Sequence, residues 1–227
     1  MKLTSIVAVS AALIVVIAAF LIFTPDNQLL PPPPPPQEVG DFEILVGTND
    51  VSFLSDEVGS YTVSIHSLRG FDSSVRLRVQ DPPRGIRIDF SGGPDYRVRA
   101  DETVNARISF TLVEDDAIGK RNITITGTSQ MMTHSINANL NIIGQGTILL
   151  TVRDFSFVQD QVTVLRGTTI RWHNQDDVSH TVTSNEDFFD MPLDSQGVST
   201  FQFNEEGTFS YFCRPHPWMV GSIQVIS

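Results

Sequence analysis

The sequence predicts an all-β protein in which two β-sandwiches follow a single membrane-spanning helix. Three observations lead to this prediction: an uncharged apolar segment near the amino terminus, two-residue alternation of apolar and polar side chains over most of the remaining chain, and a Gly-Gln-Gly triplet that divides the alternating region. Alternation with a period of two is typical of half-buried strands, because successive side chains of a strand point to opposite faces. After the apolar segment, no stretch has the 3.6-residue period and caps of a helix.

The apolar segment runs from Thr4 to Phe23 without a charged residue. A helix of this length extends about 30 Å, which matches the hydrocarbon thickness of a bilayer. A cleaved signal peptide is the alternative, but no small-x-small cleavage site follows the segment. We therefore expect an uncleaved transmembrane anchor over residues 1–25. Lys2 lies on the short side, so the positive-inside tendency predicts a single-pass protein of the cell membrane with its body on the extracytoplasmic side.

Residues 26–40 form a proline-rich linker that contains six consecutive prolines, Pro31 to Pro36. A run of this kind adopts an extended polyproline II helix without internal hydrogen bonds, which makes it a stiff spacer. Docking as a proline-rich ligand is the alternative. Beside a membrane anchor we expect the spacer role.

Residues 41–144 contain seven short runs with strict two-residue alternation. Their apolar members are Phe42/Ile44/Val46, Tyr61/Val63/Ile65, Val75/Leu77/Val79, Ile86/Ile88/Phe90, Val104/Ala106/Ile108/Phe110, Ile123/Ile125 and Ile136/Ala138/Leu140/Ile142. Seven such strands with polar turns predict an antiparallel β-sandwich, because the apolar faces of two sheets must close on each other. The stretch from Gly119 to Ser129 and the strand after it resemble the closing hairpin of prokaryotic immunoglobulin-like modules. That resemblance implies a spacer or adhesive unit.

A second unit, residues 147–227, follows the triplet Gly144-Gln145-Gly146, which suits a flexible domain junction. Eight short strands are expected here, and they predict a second all-β sandwich or barrel. They are Ile148 to Val152, Phe155 with Phe157, Val162 to Leu165, Thr169 to Trp172, Thr181 to Thr183, Thr200 to Phe203, Thr208 to Cys213 and Ser222 to Ile226.

The end of this unit places three potential metal ligands within seven residues. Cys213 ends an alternating strand, and the loop after it carries His216 and Met219. A thiolate and imidazoles in a trigonal set with a weak axial thioether are the ligands of blue copper. His180, which follows an earlier strand and a short loop, supplies the second imidazole. Because Cys213 is the sole cysteine, an intramolecular disulfide is excluded.

This ligand spacing and its surroundings resemble the cupredoxins, the blue type 1 copper proteins, over residues 147–227. The motif Cys213-Arg-Pro-His216-Pro-Trp-Met219 matches the amicyanin type more closely than the plastocyanin type, whose last interval is longer. The resemblance implies a Greek-key β-sandwich and one type 1 copper held by His180, Cys213, His216 and Met219. In the family an asparagine after the first histidine ties the two ligand loops together, whereas Thr181 stands here.

Other residues compete for these roles. Met191 is an alternative axial ligand, but it lies outside the ligand loop. His173 and His66 are expected to be ordinary strand residues, and the group Met131-Met132-x-His134 is expected in a solvent-facing turn rather than at a second copper site. Trp218 suits an apolar docking rim beside His216, although a packed core tryptophan is an alternative.

The resemblance implies an electron-transfer protein that cycles Cu(II) and Cu(I), and not an enzyme. Multicopper oxidases need histidines beside the cysteine, where this chain has Phe212 and Arg214, and dinuclear sites need two cysteines. Copper storage, delivery or sensing in the cell envelope stays open as the alternative. We expect redox protein partners among membrane respiratory components. The net charge of −11 disfavours nucleic acid, because a polyanion would be repelled.

Overall fold

Strands make up nearly all of the regular structure in residues 39–130 and 132–227, the part of the chain that this computed structural model describes. The predicted anchor and nearly all of the linker lie outside the described residues. Within the described residues no helix is long and apolar enough to cross a membrane. The prediction of an all-β fold is confirmed there, since the described residues form eighteen strands and one short 3₁₀ turn, Asp115–Ala117.

Residues 41–143 build two sheets, with strand orders β1-β3-β7-β5 and β2-β9-β8-β4-β6. All seven strands that the alternation predicts are present. Two further strands, β2 and β6, escape prediction because they are short and only partly buried. The strands are β1 (Asp41–Val46), β2 (Asp50–Leu54), β3 (Val58–Leu68), β4 (Ser73–Gln80), β5 (Ile86–Phe90), β6 (Asp95–Val98), β7 (Thr103–Leu112), β8 (Gly119–Ser129) and β9 (Met132–Ile143).

The apolar faces of these two sheets meet in a shared core. Tyr61 of β3 is buried between them, and its hydroxyl donates to the carbonyl of Asn139 on β9 at 2.5 Å. One pair departs from the predicted antiparallel arrangement, because β2 and β9 run parallel. Six strands separate them in the chain, and a connection of that length can return to either end of a sheet. The immunoglobulin-like identity of this part stays a prediction.

Residues 147–226 build two further sheets, with strand orders β11-β10-β13-β16 and β12-β18-β17-β14-β15. The eight expected strands are present, and β15 is an addition. The strands are β10 (Thr147–Arg153), β11 (Ser156–Phe157), β12 (Gln161–Leu165), β13 (Thr169–Asn174), β14 (His180–Ser184), β15 (Asp190–Leu193), β16 (Val198–Gln202), β17 (Gly207–Phe212) and β18 (Val220–Ile226). Trp172 on β13 is fully buried against Tyr211 on β17, so the two sheets close on an aromatic core.

The two pairs of sheets are joined by buried polar contacts, and residues 39–227 form one compact unit. Gln159, which is 1% exposed, donates from its amide to the Asp115 carbonyl and to the Asp116 carboxylate, both at 3.3 Å. The Asp116 carboxylate also accepts from the Thr151 hydroxyl at 3.1 Å. Gly144 of the triplet expected to be flexible is bonded on both sides to β12, since its N–H donates to Thr163 and its carbonyl accepts from Leu165. The division into domains at residues 144–147 stays a prediction.

Candidate metal centre

Strand β17 delivers Cys213 to the interior. Phe209, Tyr211 and Cys213 alternate with more exposed residues, and all three are buried. The alternation follows from the period of the strand, which sends every second side chain inward. Cys213 therefore continues the buried face of β17 just beyond the last residue of the strand.

The loop after Cys213 turns back on itself through three backbone hydrogen bonds. The N–H of His216 donates to the carbonyl of Cys213 at 3.2 Å, and the N–H of Met219 donates to the carbonyl of His216 at 2.9 Å. The N–H of Cys213 donates in turn to the carbonyl of Met219 at 3.1 Å. Pro215 and Pro217 fix φ between these turns, which restricts the loop further. The loop thus returns His216 towards the thiol.

His180 reaches the same point from the first residue of β14, and it is buried. Its Nδ1 atom lies 3.6 Å from Sγ of Cys213 and 3.0 Å from Nδ1 of His216. The Nδ1 atom of His216 lies 3.6 Å from the same Sγ. Three of the four predicted ligands therefore present their donor atoms to one small space.

The chemistry and spacing of these donors fit a single copper ion. Three donors, each about 2.1 Å from an ion in a trigonal arrangement, lie about 3.6 Å apart. The two sulfur–nitrogen distances have this value, and the two nitrogens lie closer together, at 3.0 Å. One thiolate with two imidazoles is the trigonal set of a type 1 copper site. Among the described residues, His180, Cys213 and His216 are the group of histidine, cysteine and acidic side chains whose donor atoms all lie within 4.8 Å of one another.

Met219 is buried in the same loop, a position that suits an axial ligand. The assignment of its sulfur as the fourth copper ligand stays a prediction. The competing Met191 lies on β15, paired with Val182, and is partly buried.

His66 and His173 lie on β3 and β13, as expected for ordinary strand residues, and His66 bonds to Thr103 at 2.7 Å. The prediction of a solvent-facing turn around His134 is wrong, because Met132 and His134 lie on β9 and His134 bonds to the Asp41 carboxylate at 2.8 Å. Met131 lies outside the described residues.

Comparison with known proteins agrees with this geometry. Residues 147–226 match the family described as copper binding proteins, plastocyanin/azurin family. Residues 147–226 are a cupredoxin domain. Cupredoxins bind one type 1 copper and are electron-transfer proteins, not enzymes.

Two relatives and a solved structure illustrate the similarity. Amicyanin from Paracoccus versutus is 27% identical over 123 residues, which cover 51% of this chain and 87% of that protein. Amicyanin-alpha from Methylorubrum extorquens is 27% identical over 86 residues, which cover 35% of this chain and 72% of that protein. The structure of a reduced amicyanin variant is 24% identical and covers 36% of this chain and 83% of that chain, with a TM-score of 0.34.

The carboxylate of Asp176 orients His180 in the cupredoxin domain. Its Oδ2 atom lies 2.9 Å from Nε2 of His180, so Nε2 carries the proton and Nδ1 is left free to face Cys213. Burial would raise the pKa of the Asp176 carboxyl, but the bonds from the Phe155 N–H, His180 and the Asp154 N–H outweigh it and hold that pKa below its usual value. Sequence reasoning missed Asp176, although its place four residues before His180 was a possible signal.

Phe155 is the second site residue that sequence reasoning missed. Its ring makes edge contacts with both histidines, with centroids 5.5 Å from His180 and 5.0 Å from His216. Asp154 and Phe155 both adopt positive φ, near 54° and 55°, in the left-handed region that side chains rarely occupy. The two oxygens of Asp176 hold this turn by accepting from the N–H groups of both residues, at 2.7 and 3.0 Å.

The thiolate receives one backbone hydrogen bond within the described part of the chain. The N–H of Thr181 donates to Sγ of Cys213 at 3.4 Å. Pro215 has no N–H to give a second one. Thr181, which replaces the asparagine of the family, also contacts the ligand loop, because its hydroxyl accepts from the Arg214 N–H at 2.9 Å.

Proposed function

We propose that this protein is a blue-copper electron carrier held on the extracytoplasmic side of the cell membrane, with copper bound by His180, Cys213, His216 and Met219. The observation that supports it most strongly is the convergence of two imidazole nitrogens and one thiol sulfur at the end of a cupredoxin domain. When bound, copper supplies a one-electron couple between Cu(II) and Cu(I).

The protein residues would hold the ligands in place through both oxidation states. Cys213 and His180 are buried, which excludes water from the thiolate. Asp176 fixes the ring of His180, and the three backbone bonds of the ligand loop fix His216 and Met219. A ligand set that is already positioned needs little rearrangement when the charge changes, and this favours fast electron transfer.

Electrons would enter or leave at the partly exposed edge of His216. Trp218 is 67% exposed and Phe155 is 42% exposed, and their ring centroids lie 5.3 Å and 5.0 Å from that of His216. An apolar surface around the exposed ligand suits transient docking of a redox protein. The net charge of −11 favours a basic or neutral partner, and we propose membrane respiratory components.

The membrane attachment of this proposal is supported by the sequence of residues 1–25 and by the stiff linker over residues 26–40. The sheets of residues 41–144 would act as an immunoglobulin-like spacer between the membrane and the copper site. Cell fractionation tests the attachment: the intact chain should pellet with membranes, and deletion of residues 1–25 behind a cleavable export signal should release it. Recovery of the intact chain in the soluble fraction would contradict the anchor.

Copper binding is tested by adding Cu(II) to the full-length protein and recording the thiolate charge-transfer band near the red end of the visible spectrum. An intense blue colour is expected, and it should be lost in Cys213→Ser. Met219→Leu should shift the band whereas Met191→Leu should not, which identifies the axial ligand. A colourless product from the unmodified protein would defeat the assignment.

Storage, delivery or sensing would use the same ligands, so retention of copper separates these roles from electron transfer. An electron carrier keeps its copper through repeated oxidation and reduction. A delivery protein surrenders Cu(I) to a chelating acceptor on the same time scale. Rapid loss of Cu(I) to a soluble thiol chelator from the fully folded protein would favour delivery.

A further inference from the structure

Four polar side chains beside the cupredoxin ligands form a closed hydrogen-bonded ring. The ring starts at the backbone N–H of Arg214, which donates to Oγ1 of Thr181 at 2.9 Å. Oγ1 of Thr181 lies 3.0 Å from Oγ1 of Thr183, which donates to Oδ1 of Asp190 at 2.8 Å. The guanidinium of Arg214 donates to the same carboxylate through Nε at 3.2 Å and Nη2 at 2.9 Å, and this closes the ring.

The direction of every bond in the ring follows from the number of protons. A carboxylate only accepts, so the single hydroxyl proton of Thr183 points to Asp190. The proton between the two threonines must then come from Thr181, whose oxygen is left to accept the Arg214 N–H. Each hydroxyl therefore both donates and accepts, an arrangement in which neighbouring bonds strengthen one another.

The inner and outer parts of the ring differ in exposure. Thr183 is buried, so its hydroxyl has no water to replace a lost partner. The Arg214 and Asp190 side chains are 55% and 56% exposed, and an exposed ion pair contributes little stability by itself. The bidentate pair instead fixes the orientation of the Asp190 carboxylate towards Thr183.

We propose that this ring is a positioning device for Cys213 that replaces the asparagine tie of the family. Arg214 follows Cys213 directly, so the ring holds the Cys213–Arg214 peptide against β14. The same strand carries His180 and the Thr181 N–H that donates to Sγ of Cys213. Thr181, Thr183 and Asp190 thus fix the position of the Cys213 thiolate relative to His180. This inference rests on the proposed copper site.

The test compares Thr181→Val, which has nearly the same shape without the hydroxyl, with Thr181→Ser, which keeps the hydroxyl. Thr208→Val is the matched control, because Thr208 is exposed on β17 of the same sheet and outside the ring. Asp190→Asn is the second ring variant, and it removes the charge with little change of shape. All variants are made in the full-length chain.

Amide hydrogen exchange in the metal-free protein tests the ring without copper. The exchange of the Arg214 amide should accelerate roughly fivefold in Thr181→Val, the change expected for one neutral hydrogen bond, and should stay slow in Thr181→Ser and Thr208→Val. Unchanged protection of Arg214 in both Thr181→Val and Asp190→Asn would overturn the inference.

Copper-loaded protein tests the consequence for the site. Thr181→Val should release copper to a chelator several-fold faster and should have a lower reduction potential, because a weaker bond from the Thr181 N–H leaves more negative charge on sulfur and favours Cu(II). Thr181→Ser should restore both values. Faster exchange of Arg214 with unchanged copper release and potential would show a merely structural ring and would also overturn the inference. A missing blue band in the unmodified protein would defeat the proposed function instead, and the exchange result would be unaffected.

Discussion

Nε2 of His180 and a carboxylate oxygen of Asp176 lie 2.9 Å apart, and this contact sets which ring nitrogen of His180 faces Cys213. The Asp176 side chain is 10% exposed, so its charge is little screened by water. The same carboxylate anchors the turn that places Phe155 over both histidines. One partly buried carboxylate thus positions both His180 and the exposed Phe155.

Asp176→Asn should weaken copper binding. The amide would still occupy the space, but it would no longer favour the proton on Nε2 or raise the basicity of Nδ1. Loss of a partner of this kind typically lowers metal affinity by about 10- to 100-fold. Competition with a chelator of known affinity measures the change. Asp177→Asn removes an exposed neighbouring charge and should leave the affinity close to that of the unmodified protein, so equal losses in the two variants would contradict this role.

Trp218→Ala should slow electron exchange between copies of the protein. Trp218 is exposed beside His216, and an exposed tryptophan at a docking surface commonly contributes about 1 to 2 kcal/mol, so the rate should fall roughly tenfold. The self-exchange rate is measured by line broadening in mixtures of oxidised and reduced protein.

Phe188→Ala is the control, because Phe188 is an exposed aromatic residue that packs on Phe209, four residues before Cys213. An equal rate in Trp218→Ala and the unmodified protein would place docking elsewhere.

Gln159→Leu should destabilise the junction between the two pairs of sheets. The substitution keeps the volume but leaves the Thr151 N–H without its acceptor, which lies at 3.0 Å, and removes a donor from the Asp116 carboxylate. Unpaired buried groups cost about 1 to 3 kcal/mol, so we expect a loss of about 2 kcal/mol in the free energy of unfolding. Urea denaturation gives the value. The exposed Gln161→Leu should change it by less than about 0.5 kcal/mol.

Asp41 should contribute stability at neutral pH that disappears in acid. Burial would raise the pKa of its carboxyl, but bonds from His134 and the Phe42 N–H, with the nearby charge of Arg69, lower that pKa below its usual value. A carboxyl whose pKa is lowered in the folded state stabilises the fold at pH values above the pKa of the unfolded chain, about 3.9. This contribution is lost as the pH falls through the pKa of the folded state.

Asp41→Asn tests this pH dependence. The free energy of unfolding should fall by about 0.5 to 1 kcal/mol at pH 7, and the difference from the unmodified protein should shrink below about pH 4. Asp56→Asn, at an exposed turn, is the control. A difference that stays constant from pH 7 to pH 3 would show that the carboxylate charge is not involved.

The local pattern of the chain determined much of this protein. Strict alternation predicted seven strands of residues 41–144, because the period of two is a property of the backbone and of one buried face, and eight more short strands were predicted in residues 147–227. The joint spacing of Cys213, His216 and Met219 predicted a ligand loop, and the structure brings Cys213 and His216 together with His180. The predicted anchor depends on hydrophobic length alone and stays a prediction.

Only the tertiary structure decided the contacts between residues far apart in sequence that have no motif of their own. The turn at Phe155 and the loop at Asp176 lie 21 residues apart in the chain, yet one carboxylate joins them. Thr181 and Arg214 are 33 residues apart, and Asp116 and Gln159 are 43 apart. Such polar pairs form where folding buries a donor and an acceptor away from water. Which groups are buried together depends on how the sheets pack and not on any local sequence pattern.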